Sequence, residues 1–135
     1  MSNNRDPLVN ARFRVEIDGL SGTGATEVIF PEARIVTAGR KRRAVQYGTL
    51  TIRRGMTASS EWYDWWDTAR KSATAGRRNV TIVLMDAERT DVTRWVFSGA
   101  QPSGYLVSPL NALGREPVIE TLELSVAGLK MASAR

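Results

Sequence analysis

The sequence predicts a mainly β, α+β domain: an antiparallel barrel or sandwich of six to seven strands with one packed amphipathic helix. Three observations lead there. Phe13, Val15 and Ile17 alternate strictly with Arg12, Arg14, Glu16 and Asp18, the period of a strand with one buried and one wet face. A single segment, around Trp62 to Ala69, switches to helical spacing. Glycine, proline and polar turn formers punctuate the remaining apolar runs. The chain has 135 residues, 42% of them hydrophobic and 24% charged. That is an ordinary globular mixture in a length suited to one core, so residues 1–135 read as one domain with an N-terminal arm over 1–10.

The first strand runs from Arg12 to Asp18, and Gly19 to Gly24 breaks it. A second is expected from Thr26 to Val36, bent or at an edge where Pro31 removes a donor. Residues 37–46 form a basic loop, with Arg40, Lys41, Arg42 and Arg43 in a row, before a third strand from Val45 to Arg54. Trp62, Trp65, Trp66 and Ala69 then fall at i, i+3, i+4 and i+7, one apolar stripe on a helix expected over 59–75. Ser59 or Ser60 suits its start, with Glu61 and Asp64 favouring the positive N-terminal end. Arg70 and Lys71 suit the other end, and Gly76 is the stop signal.

Asn79 to Met85 is nearly continuous apolar sequence, as in a strand covered on both faces. Asp86 to Asp91 is a turn, and Val92 to Ser98 completes a hairpin with Trp95 and Phe97 on one face and Arg94 on the other. Pro102 to Gly114 reads as a loop with room for a short strand at Tyr105 to Val107. The last strand, Val118 to Ala127, sets Leu122 and Leu124 on one face and Thr121 and Glu123 on the other. Glu120 and Glu123, three apart, fall on opposite faces and make no paired-carboxylate site.

Composition narrows the chemistry. The chain has no cysteine and no histidine. Disulfides and thiolate metal sites are excluded, and the commonest general base and imidazole ligand are missing. No catalytic constellation stands out, so the chain reads as a non-enzyme without cofactor or metal. Gly19-Leu20-Ser21-Gly22-Thr23-Gly24 lacks the Gly-Lys-Ser/Thr ending of a phosphate loop, and Asn79-Val80-Thr81, though a glycosylation sequon, lies in an apolar strand. No run approaches the ~20 apolar residues of a membrane span, and Met1 to Asp6 lacks a signal core, so cytoplasmic assembly without membrane insertion is expected. The formal charge of +5 keeps open a basic nucleic-acid-binding β-domain as the alternative function.

One helix covers one face of a sheet and closes none of its edges. Pattern alone leaves two solutions equally open: a monomeric sandwich or barrel, and a ring in which copies close each other's edges.

Particular segments carry a more specific likeness. Leu50-Thr51-Ile52-Arg53-Arg54-Gly55-Met56-Thr57 leads into the Trp-rich Glu61-Trp62-Tyr63-Asp64-Trp65-Trp66. Asn79 to Asp86, Arg94 to Pro102, Asn111 to Gly114 and Ile119 to Leu124 follow in order, and Phe13 to Gly19 precedes them. Together these resemble the tail tube proteins, which form the inner tubes of contractile phage tails and extracellular contractile injection systems. The resemblance implies a structural subunit of a virion tail or injection-system particle. It implies a homo-hexameric ring whose sheets join into one continuous barrel, and rings stacked into a conduit for DNA or protein effectors. It implies sheath, baseplate or hub, and tube-terminating proteins as partners. Within it, Arg40, Lys41, Arg42 and Arg43 are the expected inter-subunit or ring-stacking loop, Thr121 and Glu123 the expected lumen-facing residues, and Trp62, Trp65 and Trp66 the helix stripe facing the core.

Overall fold

The computed structural model describes residues 7–20, 24–37, 39–40 and 42–134. In chain order the elements are β1 (Phe13–Ile17), β2 (Ala25–Ile29), β3 (Ala33–Thr37), β4 (Arg43–Tyr47), β5 (Leu50–Gly55), α1 (Glu61–Lys71), β6 (Arg78–Met85), β7 (Asp91–Val107), β8 (Ile119–Ser125) and β9 (Gly128–Ser133). Every strand pairing is antiparallel.

The long strand β7 organises the molecule. Its first half pairs with β6 on one side and β9 on the other, and β6 continues to β1. Its second half, from Gln101, pairs with β8, which continues to β5 and β2. One strand thereby belongs to two sheets. The change falls at Gly99, whose φ of 60° lies in the left-handed region that other residues rarely adopt. A Cβ there would also come within 2.9 Å of the Ala127 Cβ.

The core lies between the two sheets and under the helix. Val15, Ile17, Val80, Ile82 and Phe97 come from the first sheet, Leu50, Ile52, Leu122 and Leu124 from the second, and Trp62 and Trp65 from α1. Each such side chain stabilises the fold by about 1.5–3 kcal/mol when removed from water. Phe30 stands edge-on to Trp95 and Phe97, with ring centroids 5.0 and 5.8 Å away.

Several boundaries differ from the sequence reading. The expected strand Thr26–Val36 is two strands, because Pro31 interrupts the ladder between β2 and β3. The expected strand Val45–Arg54 is likewise β4 and β5, parted at Gly48 and Thr49. Gly48 N–H donates to the Glu32 carbonyl at 2.9 Å, so the ladder carries across the break. The segment 37–46 is no open loop: Thr37 ends β3 and Arg43 begins β4, in the register Thr37↔Arg43. The helix is shorter than 59–75. It begins after Ser60 and ends at Ser72, which is already extended at φ −147° and ψ 121°. Gly76 serves packing instead of termination, since a Cβ there would meet the Ala69 Cβ at 2.6 Å. Finally, β7 runs unbroken through Pro102 to Val107, and β9 adds a strand beyond Ala127. These changes raise the strand count from six or seven to nine among the described residues.

Candidate assembly site

The outward face of the second sheet follows from strand alternation. Leu50, Ile52, Leu122 and Leu124 point into the core, so their neighbours point out. Register aligns Glu27 with Arg53, Arg53 with Thr121, and Thr121 with Leu106. The next row aligns Ile29, Thr51, Glu123 and Gly104. Arg53 Nη1 donates to Glu27 Oε1 at 2.6 Å across this surface. Thr121 and Glu123 are half-buried and alternate with the buried Glu120, Leu122 and Leu124. A Cβ at Gly104 would lie 2.5 Å from Glu123 Oε1, so glycine makes room for the carboxylate.

The same sheet has two open edges. Among the described residues β2 pairs only with β5, and β7 from Gln101 to Val107 pairs only with β8. Leu106 and Val107 on that edge are exposed. Unpaired N–H and C=O groups along an edge are a template for another strand.

Beyond one end of this sheet, β3 and β4 form a separate two-stranded ribbon that packs on little else. Apart from Val36, its described residues from Ala33 to Gln46 are exposed, including Arg34, Arg40, Arg42 and Arg43. Lys41 lies outside the described residues. Ile35 and Val45 are cross-strand partners and are 65% and 54% exposed. A lone hairpin of this kind is marginal in water without further packing.

Beneath α1 lies a polar cluster. Arg54 Nε donates to Glu120 Oε1 at 2.8 Å, and both side chains are buried. The Tyr105 hydroxyl donates to Glu120 Oε2. The Arg54 guanidinium sits 4.2 Å from the ring centre of Trp62, a favourable cation–π contact. Burial, then the hydrogen bond to Glu120, pushes the Tyr105 hydroxyl up to about 12. Sequence reading noted Glu120 only as a carboxylate without a nearby twin. Its signal was alternation: Glu120 shares a face with Leu122, and Arg54 shares one with Ile52, so two opposite charges were aimed into one core.

The three tryptophans divide. Trp62 and Trp65 are buried, at 0% and 2% exposure, and Trp65 Nε1 donates to the Gly76 carbonyl at 2.6 Å. Trp66 is half-buried at the margin of the stripe, against Tyr63 and Tyr105 and beside the Arg70 guanidinium. On the outward face of the first sheet, Arg14 grips both oxygens of Asp91 at 2.6 and 2.8 Å. That pairing holds the Asp91 carboxyl below its usual range.

Among the described residues, no group of three or more acidic side chains could hold a metal ion, and no helix is long and apolar enough to cross a membrane. A two-sheet β subunit with a wet face, two open edges and a projecting ribbon is a building block for assembly with copies of itself or with partner chains. The chain belongs to the T4-like virus tail tube protein gp19 family, whose match spans residues 9–130. It is a structural subunit of an inner tube.

Solved structures share the fold. A chain of the anti-feeding prophage baseplate, 6-fold symmetrised, is 24% identical with a TM-score of 0.65, over 98% of this chain and 97% of that one. A chain of the sheath-tube complex of an extracellular contractile injection system, in the extended state, is 15% identical with a TM-score of 0.68, over 97% and 95%. Hcp1 from Flavobacterium johnsoniae is 15% identical with a TM-score of 0.59, over 90% and 95%. No curated protein sequence matches the chain significantly.

Proposed function

We propose that six copies of this chain close into a ring by pairing the open edge of β2 with the open edge of β7 from a neighbour. The second sheets then join into one continuous barrel, and rings stack into a hollow tube. The observation that carries this reading is the second sheet itself: it is buried on one face, wet on the other and unpaired at both edges. Closure of a twisted sheet on itself removes its edges, and a closed rotational assembly repeats one heterologous contact without leaving a free end.

In this arrangement Thr121 and Glu123 face the lumen, which conducts DNA or protein effectors. The hairpin with Arg40, Lys41, Arg42 and Arg43 reaches outside its own subunit. Sheath, baseplate and tube-terminating proteins are the partners, in keeping with the complexes in which chains of this fold are found. The role is mechanical and conductive and calls on no catalytic residue.

Electron microscopy of the purified protein over a range of concentrations tests the reading. Rings or tubes are expected. A monomer at every concentration, binding nucleic acid with a steep salt dependence, would point instead to the basic nucleic-acid-binding domain.

A further inference from the structure

The four strands of the second sheet are tied crosswise by side chains as well as by their ladders. On the wet face Arg53 donates to Glu27 at 2.6 Å and links β5 to β2. The next residue, Arg54, points to the other face, donates to Glu120 at 2.8 Å and links β5 to β8. The second oxygen of Glu120 accepts from the Tyr105 hydroxyl and links β8 to β7. Tyr105 therefore ends a chain of polar contacts that crosses every strand of this sheet. Its ring is held as well, with centroids 5.7 Å from Tyr63 and 6.4 Å from Trp66 on α1.

Tyr105 also stands on an open edge. Ser108 N–H donates to the Ile119 carbonyl at 2.9 Å, so the main-chain groups of Ser108 face β8. That direction alternates along an antiparallel strand. With Val107 opposite Glu120, Leu106 opposite Thr121 and Tyr105 opposite Leu122, the N–H and C=O of Tyr105 and Val107 point away from β8. On the other edge, Met56 N–H donates to the Val118 carbonyl at 2.8 Å. Alternation along β5 then turns Ile52 toward β8 and leaves its β2 partner Val28 pointing outward. Tyr105 and Val28 lie opposite the buried Leu122 and Ile52, so both side chains share the core-side face. The two edges match in face, and β7 of one copy runs antiparallel to β2 of the next. Yet β7 beyond Gln101 is supported by β8 alone, and Pro102 and a register shift before Gly104 weaken that ladder.

We propose that Tyr105 is a positioning residue for ring closure: its hydroxyl, held by Glu120, fixes the weak edge of β7 and presents the Tyr105 N–H and C=O to β2 of a second copy. This rests on the ring reading and adds to it the residue that prepares the edge. A strand already held in its paired conformation loses less freedom on association.

Tyr105→Phe keeps the aromatic contacts and removes only the tie to Glu120. Parent and variant are compared at a temperature where circular dichroism shows both folded. In dispersed subunits the Leu106 amide, which faces β8, should exchange its hydrogen about tenfold faster in the variant. Amides of Ile82 and Val83 on β6, a strand paired on both sides, should keep their rates. The concentration at which rings appear, read by sedimentation, should rise about tenfold or more, the order for one hydrogen bond to a charged group. Faster exchange spread equally over β6 and β7 would make the hydroxyl a contributor to overall stability and overturn the positioning role. A ring threshold shared by parent and variant would overturn it too, while leaving the ring reading in place. If the parent forms no ring at any concentration, the ring reading fails and this role fails with it.

Discussion

Arg54 and Glu120 form a buried ion pair, Nε to Oε1 at 2.8 Å, that ties β5 to β8 beneath the indole of Trp62. The two positions are aligned in register, so the pair also marks how these strands meet. Removing one partner leaves a charge in a dry site, which typically costs about 3–5 kcal/mol. Glu120→Ala should therefore lower stability by that order in chemical denaturation. Arg54→Met combined with Glu120→Leu should recover much of the loss, because apolar replacements of similar volume need no counter-ion. A double variant as unstable as the single one would show that the pair itself holds the strands together.

Trp65 bridges the helix and the segment after it through its packing and its hydrogen bond to the Gly76 carbonyl. Trp65→Ala should destabilise the subunit by about 3–5 kcal/mol, the usual range for deleting a large buried aromatic. Calorimetry that finds an unchanged melting temperature would refute the core assignment of this side chain.

Tyr105 offers a pH signature. Its folded pKa of about 12 stands above the ordinary value of about 10. A raised pKa means the folded state holds the proton more tightly. The resulting stability is fully present below about pH 10 and is lost as pH rises through 12. Ultraviolet absorbance should resolve one late step among the three tyrosines, and Tyr105→Phe should abolish it. A late step that persists in the variant would belong to another tyrosine.

Thr121 and Glu123 point away from the core on β8. With cysteine at either position, bulky thiol reagents should react with dispersed subunits and be excluded from assembled tubes. Equal labelling in both states would place these residues away from the lumen.

The basic hairpin should act outside its own subunit. Replacing Arg40, Lys41, Arg42 and Arg43 with serine should leave the circular dichroism intact, since the described residues of the ribbon add nothing to the core. It should shorten or abolish tubes, and high salt should mimic the effect on the parent by screening the same charges. Tubes of normal length from the quadruple variant would reduce the hairpin to a solvated connection.

The sequence alone was enough to establish the mainly β class, the helix and the inward faces of its strands, because side-chain periodicity is a local property. Phe13, Val15 and Ile17, the Trp62–Trp65 spacing and the Leu122–Leu124 alternation all report burial directly. The Trp-rich helix and the ordered strand motifs likewise sufficed to point to the tail tube family. Long-range pairing was not legible. Whether β7 stops at Ser98 or continues to Val107 depends on β8 lying alongside its second half. Whether residues 37–46 form a loop or a ribbon depends on cross-strand register. The strand beyond Ala127 exists because β7 offers it an edge. The Arg54–Glu120 pair shows the same division. Alternation aimed each charge at the core, but only the register of β5 on β8 brought them together, because the energy that permits a buried charge comes from a partner distant in sequence.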